Sequence, residues 1–494
     1  MLKKLWQWIE KNEGLVGLGL LMVALRIPSL FEPYWYGDEG IYLVLGQALR
    51  KGLVFYRDIH DNKPPLLYIL AAIAGNVFYF RLLLMVWSVV ALGVFFRLMQ
   101  RLLPKNKKAW YGSSLAMIGL TMINEGNIAN AEIFTVLPVV GGMLLAFEAV
   151  KQKVKDWRRW LGIGLIFSMG ALLKVPTGLD WLAAVVWLVL FEKGLKDKRV
   201  WWLGLGFGLP IAATIGYYGI VGGLEPYVRS ALLQNIGYLA SWGTGEHTTG
   251  LAGQIGLISR GGVLVMALGV IYYLVKKHRL SSGFRLVVIW YLMALFGALL
   301  SERPYPHYLI QPVVPMAILA SYWWGEKKRV AKVIMVGLAG LTAVAMWQVR
   351  FWHYPVLPYY RNFGEYVLRK KSLEDYRNFF DPRVSQTYKL AEYLRTKTLV
   401  DEQVFIWGDE PNVYALAERL PIGRYTVAYH VVDFNGYEET MEAWDKNQPK
   451  VVIVMMDEKR EFPEMESRLA SEYMLAKQID KAMVYRRVNG MNHR

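Results

Sequence analysis

The stretch DNKPPLLYILAAIAGNVFYFRLLLMVWSVVALGVFFRLMQRLL, residues 61–103, holds enough apolar sequence for one membrane span or for two, and the choice sets the sidedness of everything after it. Its first part, LLYILAAIAGNVFYF, follows Pro64 and Pro65 directly and is only fifteen residues long, whereas a tilted helix needs about 20 to cross. The charges downstream decide the matter. Lys and Arg collect on the cytoplasmic side of membrane proteins, so successive basic clusters must be separated by an even number of crossings. The clusters are Lys3, Lys4 and Lys11; Arg97, Arg101, Lys105, Lys107 and Lys108; Lys151, Lys153, Lys155, Arg158 and Arg159; Lys193, Lys196, Lys198 and Arg199; Lys276, Lys277 and Arg279; and Lys327, Lys328 and Arg329. Counting LLYILAAIAGNVFYF as a span would place the Arg97–Lys108 cluster outside. It is therefore expected to lie along the outer face as a juxtamembrane helix.

Working outward, apolar runs occupy 14–31, 81–103, 109–123, 132–150, 160–175, 177–193, 199–221, 253–275, 284–300, 309–325 and 329–350. The expected fold is an α-helical polytopic membrane protein of about 11 transmembrane helices, with juxtamembrane helices in the first outer loop and a C-terminal soluble α/β domain. The chain has 494 residues, 54% of them hydrophobic, which excludes a purely soluble enzyme. Its net charge of +17 sits in short clusters between apolar runs, a pattern of membrane topology that gives no reason to expect nucleic acid as a partner. With no cysteine, thiolate metal sites, disulfides and cysteine nucleophiles are excluded. The first run has no small-residue cleavage site behind it and is expected to be a retained signal anchor, amino terminus inside.

The division predicted is a membrane domain over 1–352, with its first outer loop at 32–80, and an extracytoplasmic domain over 353–494. In the latter the apolar runs shrink to strand length. Gln403–Trp407 and Lys450–Met455 read as buried strands, alternating with helical patterns at Val384–Arg395 and Glu438–Trp444. No fixed-period repeat or inverted duplication of hydropathy is visible.

Ionisable side chains at the outer ends of the spans are the candidates for chemistry, because charge at membrane depth is costly. The first loop is the richest in them. After Asp38 and Glu39, apolar residues recur at Ile41, Val44, Leu45, Ala48 and Leu49, so a helix is expected on the membrane surface with its polar face up. Asp38 would stand at its amino terminus, as an N-cap, as a general base, or as both. Lys63 precedes two prolines that hold it extended; it reads as a snorkelling lysine or as a phosphate contact. Lys174 in LLKVPTG, and Arg303 and His307 in SERPYPHYLIQ, stand at outer helix ends, where they anchor an interface or supply a cationic pocket. Glu132 opens a span after Asn130. Glu246 and His247, in GTGEHTTG, form a weak metal-ligand pair.

The motifs Tyr36-Gly37-Asp38-Glu39-Gly40-Ile41-Tyr42, Asp61-Asn62-Lys63-Pro64-Pro65-Leu66-Leu67-Tyr68 and Pro306-His307-Tyr308 resemble polytopic glycosyltransferases of the GT-C class, in the protein O-mannosyltransferase and aminoarabinose transferase group. The resemblance implies a GT-C-like catalytic membrane domain. It implies an inverting transfer of a sugar from a polyprenyl-phosphate donor to a lipid, protein or polysaccharide acceptor at the outer face of the plasma (inner) membrane. In this reading Asp38 is the base, with Glu39 and Glu132 as further acidic catalytic positions. Lys63 meets the donor phosphate with Lys174, Arg303 and His307, and Tyr36, Tyr42 and Tyr68 bind substrate. No cofactor is implied with certainty. The aminoarabinose branch has a metal-binding Glu immediately before its Lys, and here that position is Asn62, which does not support a divalent metal. The competing class is a transporter or lipid flippase without transferase chemistry.

Overall fold

The computed structural model describes residues 2–233, 251–300, 303–325 and 327–488. Each of the eleven apolar runs holds a helix: Glu13–Arg26, Val77–Leu102, Lys107–Ile123, Ala131–Lys151, Trp157–Leu173, Gly178–Phe191, Arg199–Ile220, Leu251–Lys277, Ser282–Ala298, Ile310–Gly325 and Arg329–Val349. Among the described residues, six helical segments are long and apolar enough to cross a membrane alone. The other five have 14 to 17 residues, and 3-10 turns at Val175–Thr177 and Pro306–Leu309 lengthen two of them. LLYILAAIAGNVFYF is not a span: the helix Leu66–Ala74 is nine residues, about 14 Å, and ends at Gly75, whose φ of 83° turns the chain before Val77.

The chain divides into two compact units. The first comprises Met1–Ile27, Leu82–Tyr217 and Ala231–Val356; the second comprises Pro28–Arg81, Tyr218–Ser230 and Leu357–Arg494.

In the first unit, helices start where side chains satisfy otherwise unpaired N–H groups. Asn106 accepts from Ala109 N, Asp156 from Arg158 N and Ser281 from Phe284 N. These caps sit beside basic clusters, so the polar ends and apolar middles of the spans are specified together. Ala131–Lys151 and Ser282–Ala298 are buried along most of their length and form the centre of the unit. By contrast, Arg199–Ile220, Leu251–Lys277 and Arg329–Val349 expose Ile220, Val265, Met266 and Trp347, the apolar outer surface expected against lipid. Gly164 and Gly206 let Trp157–Leu173 and Arg199–Ile220 touch backbone to backbone, since a Cβ on either would run into the carbonyl of the opposing helix.

In the second unit, the first-loop helix Gly37–Arg50 is not a half-exposed surface helix. Every residue from Glu39 to Ala48 is buried. It lies against Leu66–Ala74 on one side and the tail helix Pro411–Ala417 on another. The approach is close because Gly46 faces the backbone of Ala72 and Gly40 faces Asn412. Gln47 Nε2 donates to Ala415 O at 2.7 Å, and His60 N donates to Arg424 O at 2.8 Å. Polar groups expected to face water are thus satisfied by the tail, which the periodicity of one helix could not reveal.

The tail sheet contains β1 (Phe405–Trp407), β2 (Val451–Met455), β3 (Tyr473–Ile479) and β4 (Ala482–Arg487) in the order β1-β2-β4-β3. β1 and β2 are the two strands read from the apolar runs, and they pair in parallel; Val384–Lys397 and Tyr437–Asn447 are helices. Phe405, Trp407, Trp444, Phe462 and Tyr473 fill the core. The antiparallel pair β3 and β4 was not legible, because β3 buries only its end residues, Tyr473 and Ile479.

Candidate active site

In the second unit, Asp38 stands in the first turn of the first-loop helix. It is not the N-cap: Tyr36 holds that position, and no side chain caps the helix there. Asp38 instead faces Lys63. Lys63 Nζ is 3.5 Å from Asp38 Oδ2, and Tyr42 OH donates to the same oxygen at 3.0 Å. The ammonium also lies over the Tyr42 ring, 4.9 Å from its centroid.

The Lys63 backbone is held by two buried tyrosines. Tyr56 OH donates to Lys63 O at 2.6 Å, and Lys63 N donates to Tyr68 OH at 2.9 Å. Tyr56 itself has φ 68°, a left-handed conformation disfavoured for an aromatic residue and held here by packing against Tyr218 and Tyr227. Tyr68 OH donates in turn to Asp61 Oδ2 at 2.9 Å, and the same oxygen is 3.9 Å from Lys63 Nζ. Burial and the neighbouring Asp61 push the Tyr68 phenol well above its usual pKa, so it remains a donor. Lys63 therefore stands between two carboxylates, Asp38 and Asp61. Asp38 and Lys63 are partly exposed, with side-chain accessibilities of 33% and 20%, while Asp61 is at 2%.

The other first-loop candidates take different places. Glu39 is buried and grips Arg81 with both oxygens; Arg81 also reaches Glu32 and donates to the carbonyls of Ser29 and Glu32. Tyr42 and Tyr68 are fully buried and committed to carboxylates, whereas Tyr36 is half-buried and packs edge-on against Trp35.

The first unit contains a second group. Glu132 lies in the first turn of Ala131–Lys151 and is ion-paired with Lys174, whose ammonium sits 3.9 Å from the centre of the Tyr308 ring. His307 Nε2 is 3.7 Å from Glu132 Oε1, and its Nδ1 is 2.6 Å from Glu125 Oε2. Lys174, Glu132 and His307 thus come together as a mixed-charge group, joined by Glu125. Arg303 lies half-buried before Pro304. Glu246 and His247 lie outside the described residues. Sequence reasoning passed over Asp61 and Glu125, although both stand among the outer acids. It also missed Arg81, whose place at the start of a span was a usable signal. Among the described residues no three His, Asp or Glu converge to hold a metal ion, and Asn62 beside Lys63 does not supply an anionic ligand.

Comparison with known proteins bears on this arrangement. Residues 62–218 match the family model described as dolichyl-phosphate-mannose-protein mannosyltransferase. The fold matches the crystal structure of ArnT from Cupriavidus metallidurans bound to undecaprenyl phosphate, with a TM-score of 0.57 and 13% identity over 98% of this chain and 99% of that one. No curated protein matches the chain in sequence. Over residues 62–218 the chain thus resembles that family, and its fold, that of a multi-pass membrane protein of apolar helices with a small C-terminal sheet, is shared with the ArnT structure.

Proposed function

We propose that this chain is an inverting glycosyltransferase that moves a sugar from a polyprenyl-phosphate donor to an acceptor at the outer face of the plasma membrane. The observation that carries the reading is the pairing of Asp38 with Lys63, a partly exposed carboxylate and ammonium set among buried groups that fix them. A base and an anion-binding cation side by side are what displacement at an anomeric carbon requires. The acceptor oxygen or nitrogen attacks that carbon as the bond to the donor phosphate breaks. Asp38 takes the acceptor proton, and Lys63 moves from carboxylate to the departing polyprenyl phosphate and stabilises its charge. Because nucleotide sugars are cytoplasmic, chemistry on the outer face calls for a lipid-borne donor. The ArnT structure with undecaprenyl phosphate supports that choice.

Tyr42 and Tyr68 position the pair, Glu39 anchors the first-loop helix, and Tyr36 is the tyrosine suited to packing on a substrate. In the first unit, Lys174 and His307 are further phosphate-binding candidates and Glu132 the acid that holds them, with Arg303 adding positive charge. Membrane lipids are partners, the amino terminus is cytoplasmic, and the tail over 353–494 is extracytoplasmic. The test is incubation of membranes holding the wild-type chain or Asp38→Asn with radiolabelled polyprenyl-phosphate hexoses and pentoses, following label into lipid, protein and polysaccharide. Transfer by wild type that the variant abolishes supports the reading. Donor left unconsumed in every case points to a transporter or flippase.

A further inference from the structure

We propose that His430, brought by the tail helix Ala428–Asp433, is a positioning residue for Lys63, acting through Asp61. This rests on the reading of Lys63 as a phosphate ligand. Asp61 is held from two sides: its Oδ2 by Tyr68 OH and, at 3.9 Å, by Lys63 Nζ, and its Oδ1 by His430 Nε2, also at 3.9 Å. Both residues are 1% exposed. The imidazole is therefore the second cationisable neighbour of a buried carboxylate whose other charged neighbour is the proposed phosphate ligand.

That arrangement solves a definite problem. When Lys63 turns to a phosphate, Asp61 loses its counter-charge while still buried, and an uncompensated buried carboxylate strongly opposes the movement. His430 can close the gap by donating from Nε2 to Asp61, with or without taking up a proton. Separations near 4 Å in an unliganded site commonly shorten when ligand binds. The placement is otherwise expensive. His430 Nδ1 and His60 Nε2 are buried without hydrogen-bond partners, and the two rings meet edge to face at 4.9 Å. Two apolar rings would fill the same space without orphaned nitrogens.

The surroundings set the resting state. His430 faces Asp61, Lys63, Asp433 and Asp38 as well as His60, Tyr429 and Phe434. His60 in turn faces Arg424 and Arg229 and lies 3.3 Å from Ser230 Oγ. Burial dominates and holds His430 below its usual pKa, so it is neutral near pH 7, leaving the Asp61 charge to Lys63 until phosphate arrives.

The test measures binding of a farnesyl-length polyprenyl phosphate to the full-length protein in detergent, with thermal unfolding followed in parallel. His430→Ala should weaken binding about tenfold, and His430→Gln, which keeps a donor, should recover part of the loss. Falling pH protonates the phosphate itself and weakens binding in both proteins, so the ratio of wild-type to His430→Gln affinity is the readout, and it should rise as pH falls. Asp61→Asn removes the charge to be compensated, so His430→Ala should have no further effect in that background. Wild-type affinity in His430→Ala, additive losses in the double variant, or losses that merely track unfolding overturn the inference. Asp38→Asn separates it from the transferase reading: if that variant turns over normally the base is elsewhere, yet the phosphate affinities still decide the role of His430.

Discussion

Lys63 and Asp38 are held 3.5 Å apart by different means: the lysine by tyrosine hydroxyls on its backbone, the aspartate by its place on a buried helix. Neither depends on the other for its position. Asp38→Asn is therefore expected to fold and insert, because its side chain is one-third exposed and keeps an acceptor for Tyr42. Sugar transfer should fall by about 10²–10⁴. Lys63→Met should raise the KM for the polyprenyl-phosphate donor more than it changes the KM for the acceptor. Steady-state rates alongside a melting curve check both.

Glu39 should behave in the opposite way to its neighbour. Its carboxylate and the Arg81 guanidinium are both fully enclosed, so Glu39→Ala leaves a buried cation short of its closest partner. Breaking a buried pair from one side costs about 3–5 kcal/mol. The expected outcome is a poorly folded protein, seen as low yield after solubilisation and a depressed Tm. A Glu39 variant that melts like wild type but has lost turnover would instead put Glu39 in the proton chemistry.

Gly40→Ala tests how the tail grips the first loop, and Gly46→Ala how the two first-loop helices pack on each other. The added methyl would stand 2.5 Å from the Asn412 side chain in the first case and 2.7 Å from the Ala72 backbone in the second. Overpacking of this kind typically costs about 1–3 kcal/mol. Gly46→Ala should be the worse of the two, because its three nearest atoms are all backbone, whereas Gly40 meets the Asn412 side-chain oxygen first and the Asn412 backbone nitrogen only at 2.9 Å. Limited proteolysis should cut between residues 353 and 404 sooner in Gly40→Ala than in wild type.

The spans, the strands β1 and β2 and the first-loop helix were legible because each is written in the local period of its apolar residues. Asp38 and Lys63 were legible because they flank that helix in a single loop. The partnership of Asp61 with His430 was not, since it joins positions at opposite ends of the chain and no local pattern links them. The burial of Gly37–Arg50 escaped for the same reason: an amphipathic period shows which face is apolar, but not that the tail will cover the polar one. Glu39 was legible as a charge next to Asp38, yet its use depends on Arg81, which lies 42 positions away and which no local pattern ties to it.

His60 and His430 make the second unit sensitive to acid. Burial holds both below the usual imidazole pKa in the folded chain, His60 well below it. Between the unfolded value of about 6.5 and these lower folded values, the unfolded state binds more protons, so stability falls as pH falls. Above about 6.5 the contribution is fully present. Each group can remove up to about 1.4 kcal/mol per pH unit within its window. Chemical denaturation between pH 7.5 and 5 should show this slope in wild type and a shallower one in His60→Gln/His430→Gln. Equal slopes would mean the two imidazoles keep ordinary affinities for protons.

The absence of cysteine allows the sidedness to be read directly. Single cysteines at Lys51 and Leu399, both exposed, should react with a membrane-impermeant thiol reagent added to intact cells, as should one at the half-buried Asn62. Cysteines at Lys105 and Lys155, exposed within two basic clusters, should react only after the membrane is opened. Asn127 is a poor reporter in spite of its loop position, because it is wholly buried and would stay silent on either face. Labelling of Lys105 from outside would mean that the chain crosses between residues 65 and 80 after all. The nine-residue helix there argues against that, since about 14 Å covers less than half of a hydrocarbon core of about 30 Å. A full reversal, with Lys51 and Leu399 protected and both lysine-cluster sites open, would put Asp38 and Lys63 on the cytoplasmic side. Nucleotide sugars would then be within reach, and the case for a lipid-borne donor would lose its topological basis.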